Sequence, residues 1–231
     1  MLNAKCLTPS LINCARFNEV GTIKKMRKFP PEQRANFKVF EQLTTPAKIQ
    51  DFLDTLPINF ERNGETCRSP FLALEAGEAH CMEGAMLAAS ALWFHGQRPW
   101  LLDLKTEAYD DSHVVAIFKD QNRWGAISKT NHVILRYRDP VYLSVRELAM
   151  SYFNEYFLDD GGKTLRSYSR SFDLLRYDDS WLTARHHLWD VVDAIDKSRH
   201  FSIINKKRAQ VLRLADKIEI ESGLLTEWGE N

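Results

Sequence analysis

A chain of 231 residues, 44% of them apolar, is long enough for one large domain with a sizeable core. Its 31 basic and 31 acidic residues cancel, which argues against a general nucleic-acid or anionic-membrane binder. No apolar run approaches the roughly 18 residues of a membrane helix, Met1–Leu7 has no secretion-signal pattern, and four cysteines (Cys6, Cys14, Cys67, Cys81) do not make a disulfide framework, so a reduced, cytoplasmic protein is expected.

Residues 1–29 are mixed and carry a basic cluster at Lys24, Lys25, Arg27 and Lys28, read as a solvated stretch. Pro30-Pro31-Glu32 opens a predicted helix to about Leu43. Thr45-Pro46 opens another, with Thr at the N-cap and Pro in the first turn. Ile49, Phe52, Leu53 and Leu56 share one face of it, and Pro57 ends it. Residues 58–70 read as loop, followed by a short helix near Phe71–Ala76. A predicted helix then begins at Cys81 and runs to a C-cap at Gly96.

The pattern changes after Gly96. Pro99–Leu104, Ser112–Phe118, Trp124–Ser128 and His132–Arg138 read as strands, with a turn over Asp120–Arg123, giving a small antiparallel sheet after a helix. Ser144-Val145-Arg146-Glu147 is a capping box that starts a predicted helix to about Phe157, broken by Asp159-Asp160-Gly161-Gly162. Residues 163–177 read as irregular or extended. Two more helices are expected near 180–197 and 205–222, the first with His186-His187 on a packing face. The expected organisation is a single domain over 1–231: a helical extension over 1–66, a core over 67–142, and a helical C-terminal layer over 143–231.

The chemistry-bearing feature is Cys81. A thiol is nucleophilic as the thiolate, and both a helix N-terminus and an imidazole favour that form. His113 opens the strand that follows about thirty residues later. A two-residue turn at Gln121-Asn122 would pair His113 with Thr130 and put Ser128 on the histidine's face of the hairpin.

The run Ala79-His80-Cys81-Met82-Glu83-Gly84-Ala85, the helix end Trp93-Phe94-His95-Gly96, then His113–Phe118 and Trp124-Gly125-Ala126-Ile127 occur in an order that resembles the transglutaminase-like branch of the papain-like cysteine fold. The likeness covers about residues 67–130, and the C-x-E start is also similar to arylamine N-acetyltransferases. It implies an α+β fold with a cysteine helix packed on an antiparallel sheet. It also implies that Cys81 attacks an amide or ester carbonyl and that His113 moves the proton. The family's third residue is an Asp or Asn that orients the imidazole. Counted four residues on from Trp124, that position is Ser128 in this chain, a group without charge. Asn131 is a second possible orienter, and Asp103, Asp110 and Asp111 could reach in from neighbouring segments. The oxyanion donor expected from the resemblance is the Cys81 backbone N–H, with Asn59 and Thr66 as side-chain options.

Other polar residues have plainer readings. Glu83 reads as a favourable charge at a helix N-terminus. His80, Cys81, His113 and His132 lack metal-site spacing, so no metal or cofactor is expected. Ser128–His132 is a polar stretch between apolar strands, either a turn or a substrate-contacting rim. Arg136, Arg138 and Arg166 either meet an acidic substrate or pair with carboxylates. The leading expectation is cysteine-dependent acyl transfer or amide hydrolysis on a peptide or amide-containing small molecule. The alternative is an inactive binding or scaffolding module of the same fold.

Overall fold

The computed structural model describes residues 26–229. Cys6, Cys14, Lys24 and Lys25 lie outside that range. Arg27, from the same basic cluster, pairs with Asp179 at 2.8 Å. The architecture is α+β, built on an antiparallel sheet of seven strands.

Pro31–Gln42 is a 3-10 helix kinked at Phe37, not the smooth helix predicted. Phe37 and Phe40 are both fully buried and stack at 5.0 Å, so packing decides the local backbone there. Helix α1 (Pro46–Thr55) begins as expected, with the Thr45 hydroxyl accepting the Lys48 N–H. Helix α2 (Pro70–Ala76) is capped by Ser69 and ends at Gly77, whose φ of 69° suits glycine. Helix α3 (Cys81–Phe94) is buried from Met82 to Phe94 on every face, as a helix apolar on all sides must be, with Glu83 and Ser90 its buried polar residues.

Strands β1 (Trp100–Lys105), β2 (His113–Asp120) and β3 (Arg123–Ile127) form the central meander. Gln121 and Asn122 both sit at positive φ, and the pairing runs from Asp120↔Arg123 to Ala116↔Ile127. Continued by three residues, that register sets His113 opposite Thr130, as the turn length required. Side chains alternate across the sheet. Leu101, Val114, Ala116 and Phe118 pack against α3, while Leu102, Leu104, Val115 and Ile117 face a second core.

Later elements differ more from expectation. The fourth strand, β4, is Arg138–Tyr142; the predicted strand over 132–138 is mostly loop. Leu135 there takes φ 60°, which breaks extended pairing. Helix α4 (Val145–Ser151) has the Ser144–Glu147 cap but stops well short of Phe157. Tyr152 and Tyr156 turn into the second core instead, and the Tyr156 hydroxyl donates to the Asp111 carbonyl at 2.6 Å. Residues 143–231 are not purely helical, since β5 (Ser167–Ser169), β6 (Phe172–Asp173) and β7 (His200–Ser202) all join the sheet. The order is β4-β3-β2-β1-β5-β7, with β6 also on β1.

The helix expected over 180–197 is reduced to α5 (Trp189–Asp196), preceded by a 3-10 turn at Asp179–Leu182. His186 and His187 therefore lie outside any helix, and His187 Nδ1 accepts the Cys67 N–H at 2.9 Å. The helix expected over 205–222 is two short ones, α6 (Lys206–Ala209) and α7 (Lys217–Gly223).

Candidate active site

Cys81 is the first residue of α3, and its side chain is partly exposed. His80 is the N-cap. Its Nδ1 accepts the Met82 N–H at 3.3 Å, and Glu83 reaches back to the His80 N–H, completing a capping box. Glu83 is fully buried, unlike an ordinary surface cap residue. Its carboxylate accepts from Asn59 Nδ2 at 3.1 Å, Thr66 Oγ1 at 2.9 Å and the Arg68 N–H at 2.9 Å. Asn59 and Thr66 thus fix Glu83 and are not turned to Cys81 as oxyanion donors.

His113 begins β2 and Ser128 directly follows β3, at the same end of the hairpin. His113 Nε2 lies 2.8 Å from Ser128 Oγ, and Ser128 Oγ lies 2.5 Å from the Leu135 carbonyl. A carbonyl only accepts, so the serine proton goes to Leu135, and His113 Nε2–H must donate to the serine. This leaves His113 Nδ1 unprotonated in the neutral ring. The left-handed turn at Leu135, which ended the expected strand, supplies the terminal acceptor.

Ser128 is held rigidly. The buried Gln50 of α1 accepts the Ser128 N–H at 2.9 Å and donates to its carbonyl at 2.8 Å. Next along the chain, Lys129 is 1% exposed, and its ammonium donates to the Leu53 carbonyl (3.0 Å) and the Leu56 carbonyl (2.5 Å) at the end of α1. Gly84 lets this segment close on α3, because a Cβ there would lie 2.4 Å from Lys129 Cβ.

The charges converge on Cys81. Burial raises its thiol, but hydrogen bonds from His113 and His80, and the charges of both rings, prevail and lower it to about 5. Burial also opposes charge on His80, but Cys81, Glu83 and Glu61 raise it to about 9. The neutral His80 ring accepts the Met82 N–H at Nδ1, whereas the charged ring carries a proton on that nitrogen and cannot accept. His80 Nε2, 2.9 Å from the Thr66 carbonyl, is a donor in both. Burial raises Glu83, yet the His80 charge and the converging donors hold it below the usual carboxylate range. Cys67 behaves oppositely, as burial and the nearby Glu83 push it up to about 12.

Cys81 forms part of the wall of two clefts. One, of about 310 Å³, lies between His113, Tyr156 and α7. The other, of about 300 Å³, lies between His80, Val114 and Trp189 of α5. The Asn131 side chain pairs with both backbone groups of Trp228 at 2.9 Å, and neither residue lies in the wall of either cleft.

The structure therefore brings Cys81, His113 and Ser128 together but not Asn131, whose amide is engaged by the C-terminal segment. Asp103 Oδ2 pairs with His200 at 3.0 Å, and Asp110 takes the Thr164 hydroxyl, so neither orients His113. His132 Nδ1 faces the Gly223 carbonyl at 3.0 Å. Arg136, Arg138 and Arg166 pair with Glu227, Glu155 and Glu107. Among the described residues no group of three or more His, Cys, Asp or Glu side chains is arranged to hold a metal ion. Sequence reasoning did not find Gln50, Lys129, Leu135 or the charged role of His80. The available signal for Gln50 was a polar residue beside the apolar stripe of α1, one turn before Leu53. No protein-family model matches the chain, and no curated protein matches it.

Proposed function

We propose that this chain has a transglutaminase-like core and carries out cysteine-dependent acyl transfer or amide hydrolysis, with Cys81 as nucleophile, His113 as the proton-transfer group and Ser128 as its orienter. The observation that carries the reading is the relay Leu135 carbonyl–Ser128–His113, which leaves His113 Nδ1 available to the thiol of a helix-terminal cysteine. The order of helix, β1, β2 and β3 supports the same assignment.

In this reading the thiol proton passes to His113 Nδ1 and the Cys81 sulfur forms a bond to the substrate carbonyl carbon. The electron pair of the C=O bond moves to oxygen. The Cys81 N–H lies in the first turn of α3, where amides have no helical acceptor, and is assigned to that oxyanion. The tetrahedral adduct collapses, the carbon–nitrogen or carbon–oxygen bond breaks, and the His113 proton goes to the leaving group. Water or an amine then attacks the thioester, His113 takes its proton, and the thiolate departs.

A second reading, a non-catalytic binding module, is favoured by one observation: Ser128 gives orientation but no negative charge to an imidazolium. Incubation with a small activated acyl ester, followed by intact-mass analysis, separates the two. The enzyme reading expects an acyl adduct on Cys81 that turns over and is lost in Cys81→Ala and His113→Ala variants of unchanged fold. An adduct that forms no faster than on a free thiol would remove the enzyme reading.

A further inference from the structure

The chain as a whole is neutral, but the surroundings of Cys81 are not. Asp110, Asp111, Glu155 and Asp159 lie in the wall of the cleft beside Tyr156. Glu61, Glu65, Asp103 and Asp196 lie in the wall of the cleft beside Trp189. Among the described residues neither wall contains a lysine or arginine. Some of this charge is answered from behind, as Arg138 pairs with Glu155 and Lys105 with Asp196, while the charged His80 lies in the wall of the Trp189 cleft itself, 3.7 Å from Glu61. The Cys81 thiolate and the buried Glu83 add negative charge at the junction.

The Trp189 cleft has a second feature. Asp103 is only 4% exposed, its Oδ2 pairs with His200, and its Oδ1 has no donor among the described residues. A buried carboxylate oxygen without a donor is costly, and burial raises the Asp103 carboxyl from its ordinary value, so a cation held at this wall would favour its charged form. Around it the wall is apolar, formed by Met82, Val114, Val192 and Ile195, with the Trp189 indole 43% exposed. An aromatic face, an apolar lining and surrounding carboxylates together suit a cation on an aliphatic stem.

We propose that the Trp189 cleft is a subsite for a cationic group on a short apolar stem, so that the amide or ester presented to Cys81 belongs to a positively charged molecule. The assignment to a substrate rests on the nucleophile reading above; the charge preference of the cleft does not. Acyl donors carrying phosphates are disfavoured by the same field.

The test uses three methanethiosulfonates of similar size on the full chain: trimethylammonioethyl (cationic), 3,3-dimethylbutyl (neutral) and sulfonatoethyl (anionic). Modification of Cys81 is followed by peptide mapping, and each rate is divided by that of the same reagent with 2-mercaptoethanol. The cationic-to-anionic ratio is expected to be about tenfold or more above unity at low salt and to shrink as salt is raised. Glu65→Gln combined with Asp196→Asn should lower the ratio more than Asp111→Asn combined with Asp159→Asn.

Rapid modification by all three reagents with a ratio near unity would overturn the cation subsite and leave the nucleophile standing. Slow modification with the cationic preference intact would support the subsite and remove the nucleophile. A ratio that responds only to the Asp111 and Asp159 changes would overturn the choice of the Trp189 cleft.

Discussion

Ser128 accepts the His113 Nε2–H at 2.8 Å while giving its own proton to the Leu135 carbonyl, so an uncharged residue fixes the tautomer that an acid would normally fix. Ser128→Ala should remove that control. The ring could then place its proton on Nδ1, the wrong nitrogen for accepting one from Cys81. The expected outcome is an acylation rate down by about 10–100-fold, with about 1–2 kcal/mol of stability lost with the two hydrogen bonds. Ser128→Asp should not recover the rate, because a carboxylate cannot donate to Leu135 and would face its carbonyl oxygen. Acyl-adduct kinetics and thermal melts on the same samples check both statements.

Iodoacetamide should distinguish the two buried-end thiols sharply. Cys81, lowered to about 5, is mostly thiolate at pH 6–7, so its alkylation rate should be nearly flat from pH 8 to 6 and fall as the pH passes through about 5. Cys67, pushed up to about 12 and fully buried, should stay unmodified until the chain is unfolded. A Cys81 profile that instead rises steeply between pH 7 and 9, as for a free thiol, would contradict the lowered thiol.

The histidine before Cys81 has a separable role. Asparagine is a good N-cap, so His80→Asn should keep the start of α3 while removing the cation beside Cys81. The midpoint of the alkylation profile should move up toward the ordinary thiol value, and the thiolate fraction at pH 5 should drop about fivefold for the first unit of rise and about tenfold for each further unit. Melting temperature should change little. A profile that stays put would show that His113 alone lowers the thiol.

The parts of this site written in local sequence could be read from it. The Gln121–Asn122 turn fixed the hairpin register, and register alone put Ser128 on the histidine's face. The helix start at Cys81 was marked by the residues around it. What could not be read depends on distant partners. Gln50 meets Ser128 across 78 positions, and Asn131 meets Trp228 across 97. Strands β5, β6 and β7 are two or three residues long, too short for alternation to register. Leu135 in a left-handed turn has no compositional signal, because leucine rarely adopts that backbone.

Gly84 tests whether the closeness of α3 to the Ser128–Lys129 segment matters for chemistry as well as stability. Gly84→Ala places a methyl 2.4 Å from Lys129 Cβ, with backbone close behind, so the segment must shift. Overpacking of this kind costs about 1–3 kcal/mol. Because Ser128 adjoins the displaced residue, acylation should fall further than the stability loss alone accounts for. The Lys129→Gly partner change, which removes that Cβ, should recover packing at Gly84→Ala but not the lost contacts to Leu53 and Leu56. A double-mutant cycle read by both melts and acylation rates measures the coupling.

Glu83 links the helix start to the pH range in which the protein holds together. Its carboxyl is buried and held below its ordinary value of 4.5, despite burial, by the His80 charge and by donors from Arg68, Asn59 and Thr66. A group lowered on folding adds stability above its unfolded value and loses that contribution as pH falls through the lowered folded value. Wild-type stability should therefore decline with pH below about 4.5, in part through this one residue. Glu83→Gln removes the proton-linked contribution, so its stability should depend less on pH in that window. At neutral pH it should cost about 3 kcal/mol, because a buried charge network has lost one member. The same change deprives His80 of a carboxylate partner, so the charged His80 is weakened and the Cys81 alkylation midpoint should rise. Chemical denaturation across pH 3–7, with alkylation rates profiled over pH 4–8, checks the three expectations, and a parallel pH dependence in wild type and variant would remove Glu83 from the account.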